Sequence, residues 1–295
     1  MIYRVTHLTS YAYGEPVDLA HHLLHLTPRH LPNQIVLMNK IITAPPAARN
    51  VTHQDHFGNE VTMLMMGETH EDFSVQARAE VDVSAPNVPR PSATPKIANV
   101  ASILQKADTP DAIETSEFTY ASPFVGLDAD IREYAAQSLS TDVPILAGAL
   151  DLTRRIYQDF AYTPGTTAIS TPVADVLKAR NGVCQDFAHV AIAGLRAHGL
   201  AARYVSGYIR TYSSDSSAFR GADASHAWFD VWCGEYGWIG LDPTNDLIVR
   251  DEHIVLAIGR DFGDVSPVSG VILGGGRQHL TVAVTVTPLD EAGQA

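Results

Sequence analysis

The spacing of apolar residues changes once along this 295-residue chain, and no other feature restricts its fold as strongly. As far as residue 85, apolar and polar residues alternate in short runs: IYRVTHLTSYAY, QIVLMNKIIT, EVTMLMMGE and FSVQARAEVDVSA. Alternation with period two turns one face of each run toward a core and the other toward water, the pattern of half-buried strands. Asp55 and Gly58-Asn59 mark a turn between two of them. Residues 1–85 therefore predict a small β-sandwich. APNVPRPSATP follows, with four prolines in eleven residues, and predicts an extended linker over 86–116. From 117 the apolar positions recur every three or four residues, as in DADIREYAAQSL and ILAGALDLTRRIYQDF, so 117–295 predicts a second, α+β unit. HLTVAVTVTPL is an alternating strand that closes this unit, and no local signal says which sheet it joins.

Charge and cysteine content narrow the function classes. A net charge of −13 argues against nucleic acid and against anionic membrane surfaces as partners, because both would be repelled. The opening MIYRVTHLTSYAYGEPV lacks the apolar core of a signal peptide, and no run reaches the ~18 apolar residues of a spanning helix, so the sequence predicts a cytoplasmic protein. Two cysteines, Cys184 and Cys233, are too few for a disulfide framework.

Cys184 stands just after an Asn-Gly turn, in NGVCQDFAHVAIAGLRAHGL. Val183, Phe187, Val190, Ala191 and Leu195 recur at helical intervals and Gly199 suits a left-handed C-terminal residue, so a helix is predicted over 183–198 with Cys184 in its first turn. There the macrodipole favours thiolate over thiol, and the unpaired N–H groups can bind an oxyanion on an attacked carbonyl. Further on, SHAWFDVWCGEYGWIGLDPTND reads as two antiparallel strands joined by a short turn-rich connection. His226 opens the first and Asp242 closes the second, so the two side chains can meet at one edge. A carboxylate on one imidazole nitrogen fixes the tautomer and leaves the other nitrogen to take a thiol proton. Cys184, His226 and Asp242 thus form a candidate nucleophile, base and orienting acid. Asp230 and Asp246 are the nearby alternatives for the acid, and Cys233, inside the strand connection, reads as a packing residue.

These segments resemble the transglutaminase-like superfamily, a branch of the papain-like cysteine enzymes. The likeness lies in NGVCQDFAHV, SHAWFDVW and GWIGLDPTND, and it extends to HLTSYAYGEPV, LTPR and DHFGN in the first unit and to AIGRDFGDVSPVSGVILGGG near the end. It implies a papain-like core with the nucleophile at a helix N-terminus packed on an antiparallel sheet, preceded by a β domain. It implies Cys184 as nucleophile, His226 as base and Asp242 as the group orienting it. The activity implied is acyl transfer through a thioester on a peptide, a protein or a small amide, with the acceptor left open; because water is abundant and the sequence shows no constellation for an amine site, hydrolysis is the expected outcome. Transamidation of protein glutamine, or a binding module on the same fold, are the alternatives.

Other features carry less. Tyr162, in DFAYTPGTT upstream of the nucleophile, is a candidate cleft wall or second oxyanion donor. His21, His22 and His25 invite a metal reading, but in a β-rich segment a spacing of four also falls on one strand face, and no carboxylate or cysteine cluster completes a site. The serine- and acid-rich stretch 212–225 lacks the ligand spacing of a calcium loop and reads as a rim over the cleft. Glycines 274–276 lack the rest of a phosphate-binding loop and read as a surface turn. No metal and no cofactor is expected.

Overall fold

The computed structural model describes residues 1–211, 220 and 225–289. The alternating N-terminal runs form β1 (Ile2–Leu24), β2 (Gln34–Ala44), β3 (Arg49–Gln54), β4 (Glu60–Met66) and β5 (His70–Val83). β1 is long enough to serve two layers. Its first half pairs with β5, which in turn pairs with β2; its second half, past an irregularity between Ala12 and Val17, pairs with β4, which pairs with β3. Phe73, Val75 and Ala77 of β5 pack with Leu64 and Met66 of β4 and with Val17, Ala20 and Leu24 of β1, so the two halves close over one core.

The second unit begins earlier than the sequence predicts. Residues 86–96 are free of regular helix apart from one short turn, but α1 (Ile97–Lys106) and α2 (Pro110–Ser116) lie inside the expected linker. The reason is that Ile97, Val100 and Leu104 recur at helical spacing and are buried, and Thr109 caps α2 by accepting from the Ala112 N–H at 3.2 Å. The chain continues through α3 (Ala129–Ala136), α4 (Ile145–Asp159), β6 (Ala161–Tyr162), α5 (Val173–Ala179), β7 (Asn181–Gly182) and α6 (Cys184–Ala197). Then come β8 (Ala202–Ile209), β9 (His226–Trp232), β10 (Trp238–Asp242), β11 (Leu247–Ile248), β12 (His253–Gly259) and the short α7 (Phe262–Val265). These five strands form an antiparallel sheet in the order β11-β10-β9-β8-β12. α6 is buried along nearly its whole length, packed between that sheet and α3, α4 and α5.

A second departure concerns the end of the chain. β13 (Val268–Gly274) and β14 (Gln278–Pro288) stay out of the five-stranded sheet altogether and pair with β1, β14 along residues 3–13 and β13 along 17–24. The strand expected to close the 117–295 unit therefore completes the N-terminal sandwich. Val284 and Val286 are the inward positions of β14, and they join Tyr3, Val5 and Val81 in a core continuous with that around α6. The two units are also stitched side by side. β12 is the edge of its sheet, and side-chain amides of the sandwich stand in for a missing neighbour strand: Gln34 bonds both the N–H and the C=O of Val255, and Asn59 does the same for Ile258, all at 2.8 Å. Among the described residues no helix is long and apolar enough to cross a membrane.

Candidate active site

The local sequence around Cys184 explains its placement. Val183 is extended at the N-cap of α6, and Asp186 reaches back to accept its N–H at 2.8 Å while taking the Thr167 hydroxyl at 2.7 Å. Only glycine fits at 182, since a Cβ there would lie 2.6 Å from the Asp186 carboxylate. Cys184 is the first residue of the helix and is buried, 9 % exposed. The first N–H groups of α6 have no acceptor within the helix, which makes this end a donor site for a developing oxyanion. β6 runs parallel to β7, setting Tyr162 beside Gly182, and its ring packs edge-on to Phe187 at 6.4 Å. The structure thus puts Tyr162 against the start of the helix that Cys184 opens.

His226 opens β9 opposite Gly207 of β8. Its Nε2–H donates to Asp242 Oδ2 at 2.8 Å, and both side chains are fully buried. Asp242, the last residue of β10, is held by the turn that its own DPTND segment makes. Oδ1 accepts the N–H groups of Thr244 at 2.9 Å and Asn245 at 3.3 Å, and Oδ2 also accepts from the Asn245 side-chain amide at 2.8 Å. With Nε2 committed to Asp242, the other ring nitrogen, Nδ1, is buried and makes no well-aligned hydrogen bond; the neighbour acting on it is the Cys184 thiol. Burial opposes a charge on the ring, but the Asp242 carboxylate, and then Cys184, outweigh it and raise the His226 pKa to about 10. Burial likewise opposes ionisation of Asp242, yet His226 and then His253 hold it well below the usual carboxylate range. The pair is thus held as an imidazolium beside a carboxylate.

The alternative acids are engaged elsewhere. Asp230 forms a 2.9 Å ion pair with Arg203, and Asp246 faces Arg154 at 3.8 Å. Cys233 is fully buried in the β9–β10 connection, and burial pushes its thiol up to about 12. Of the N-terminal histidines, His25 lies beside Asp55 and His22 stacks flat on Phe73 at 4.3 Å, two different environments. Gly274 to Gly276 all adopt positive φ, in the β13–β14 connection. Residues 212–219 and 221–224 of the predicted rim lie outside the described residues.

One participant escapes sequence reading. His253 opens β12, and its Nε2–H also donates to Asp242 Oδ2, at 3.3 Å. Nothing local in DEHIV marks it, because its partner is eleven residues away and the contact depends on β12 lying beside β8. Donor atoms of His226, Asp242 and His253 lie within 4.8 Å of one another, close enough to suggest a cation. The 2.8 and 3.3 Å separations are instead those of two N–H groups sharing one carboxylate oxygen, in a pocket where all three side chains are at most 1 % exposed.

A family model for the bacterial transglutaminase-like N-terminal region matches residues 3–82, and one for the transglutaminase-like superfamily core matches 132–243. An uncharacterized protein of Mycobacterium tuberculosis is 39% identical over 98% of this chain and 93% of its own length, and one of Mycobacterium leprae is 31% identical over 97% and 98%. The crystal structure of a Cytophaga hutchinsonii protein described as a candidate cysteine protease has the same fold, with a TM-score of 0.77 and 23% identity over 98% of this chain and 91% of that one. The mixed α+β fold with its β-rich N-terminal region is shared with the Cytophaga protein, and the chain belongs to the transglutaminase-like superfamily.

Proposed function

We propose that this protein is a cysteine-dependent acyl-transfer enzyme acting on peptide or amide bonds, with Cys184 as nucleophile, His226 as general acid and base, and Asp242 orienting the imidazole. The observation that carries the reading is the His226–Asp242 bond of 2.8 Å, buried completely, with the free face of the ring turned to a cysteine at a helix N-terminus. The Cys184 sulfur attacks the carbonyl carbon, the carbonyl oxygen takes negative charge against the N-terminal N–H groups of α6, and the imidazolium gives its proton to the departing amine. The resulting thioester is then attacked by an acceptor whose proton returns to His226 Nδ1. Tyr162 stands beside this step as part of the cleft wall.

Water is the acceptor we favour, because among the described residues no second constellation beside Cys184 presents itself as an amine site. The distinguishing experiment incubates the protein with a peptide mixture, with and without a labelled primary amine, and reads new termini and incorporated label by mass spectrometry. Hydrolysis gives new termini or released ammonia with no label. Label on glutamine side chains establishes transamidation in its place, and neither product, with Cys184 no more reactive than Cys233, establishes a binding module.

A further inference from the structure

We propose that His253 is a positioning residue for this reaction, which by sharing Asp242 Oδ2 weakens the hold of the carboxylate on His226 so that the imidazole can release its proton when water must be activated. The inference rests on the acyl-transfer reading above. Its physical basis is an arrangement with more donors than catalysis needs. Asp242 Oδ2 accepts from three N–H groups, those of His226, Asn245 and His253, while Oδ1 takes two backbone N–H groups. Four donors remain to fix the carboxylate without His253, so holding Asp242 in place does not require it. What a second imidazole on the same oxygen changes is the negative charge left for the first.

That charge matters differently in the two halves of the reaction. Thioester formation needs an imidazolium to protonate the leaving amine, and a strong Asp242–His226 interaction serves it. Thioester hydrolysis needs the neutral ring. The water oxygen bonds to the carbonyl carbon, the water proton passes to His226 Nδ1, and the carbon–sulfur bond breaks to release the carboxylic acid and regenerate the Cys184 thiolate beside the imidazolium. A ring held too firmly in its charged form stalls this second half. Among the described residues, the titratable groups facing His226 are Cys184 from α6, Asp242 from β10 and His253 from β12, with the Trp228 ring beside it and glycine at its β8 partner position 207. His253 is also the one whose removal the fold can absorb. It packs edge-on to Trp228 at 5.1 Å and borders a cavity of about 370 Å³ that Trp228, Trp238 and Val249 also line.

The test uses the full chain and p-nitrophenyl acetate as acyl donor, in the parent, His253→Phe and His253→Gln. Phenylalanine keeps the ring against Trp228 and removes the N–H; glutamine keeps an N–H donor. In His253→Phe the acid limb of kcat should move up by about 0.5 to 1 pH unit, which lowers kcat below the limb about three- to tenfold. KM should fall with kcat as acyl-enzyme accumulates, leaving kcat/KM unchanged, and His253→Gln should restore the parent limb. A limb that stays put in His253→Phe, or a parallel loss of kcat and kcat/KM at every pH in both variants, overturns the inference. If His253→Phe does not fold, His253→Leu carries the same expectation. Failure of the underlying reading looks different: the parent would then show no Cys184-dependent burst, and Cys184→Ala would turn over the ester as fast as the parent.

Discussion

Replacing Asp242 by alanine should cost more stability than any other single change at the site, and the cost should depend on pH in a defined way. The variant leaves a buried imidazole, His226, without the carboxylate that accepts its Nε2–H at 2.8 Å, and it strips acceptors from His253, Thr244 and Asn245. Breaking one side of a buried ion pair costs about 3–5 kcal/mol. The pKa of His226 gives a figure of the same size: its rise from 6.5 to about 10 corresponds to about 5 kcal/mol at about 1.4 kcal/mol per pH unit. A raised pKa contributes stability that is complete below 6.5 and fades as pH climbs through about 10; the depressed pKa of Asp242 contributes stability that is complete above its unfolded value near 4 and fades in acid. The difference between parent and Asp242→Ala should therefore be about 4–5 kcal/mol at pH 6 and shrink to about 1 kcal/mol near pH 9.5. Urea unfolding at the two pH values, followed by the fluorescence of Trp228, Trp232 and Trp238, measures it. A difference that is equal at both, or below about 1 kcal/mol at pH 6, would refute the claim that an ionised, hydrogen-bonded pair occupies this pocket.

Two further expectations follow from the surroundings. Iodoacetamide at pH 6 to 7 should modify Cys184 at least about tenfold faster than Cys233, read by peptide mass mapping, because Cys184 sits at a helix N-terminus beside His226 while burial holds Cys233 as a thiol; comparable rates would mean that Cys184 is not activated. Gly207→Ala should lower the melting temperature, by about 3 kcal/mol in stability, and slow Cys184 labelling: its Cβ would stand 2.2 Å from the Ile254 carbonyl oxygen and 2.4 Å from the Trp228 ring, displacing the strand that carries His226. Unchanged labelling in a folded Gly207→Ala protein would separate the glycine from the site.

The elements that announce themselves in the sequence are those whose signal is local. Cys184 at the start of α6 is written in Gly182, Asp186 and the helical spacing of Phe187 to Leu195; His226 and Asp242 meet because two strands are joined by a short turn, and short turns fix register. The rest depends on distant pairing. Ile97, Val100 and Leu104 carry a helical pattern that the neighbouring prolines obscure. The partners of β13 and β14 lie more than 240 residues away in β1, and alternation alone cannot name a partner. His253 is in the same class: its role exists only once β12 has docked on β8 and brought a second imidazole to the oxygen His226 already uses.

The return of β13 and β14 to β1 also orders events during synthesis. On a ribosome the N-terminal strands emerge first, and β1 finds β4 and β5 early, but its other edge stays an open row of N–H and C=O groups until residues 268–288 have been made. The Cys184 helix and the five-stranded sheet are translated inside that interval, between segments that pair with one another. A fragment holding only residues 1–85 would display an unpaired edge along both halves of β1 and invite a second chain to occupy it. A fragment holding only the α-helical and five-stranded part would lose Gln34 and Asn59 from the edge of β12, the strand that begins with His253. Each piece alone is left with unmet backbone groups that the other supplies, along β1 in one case and along β12 in the other.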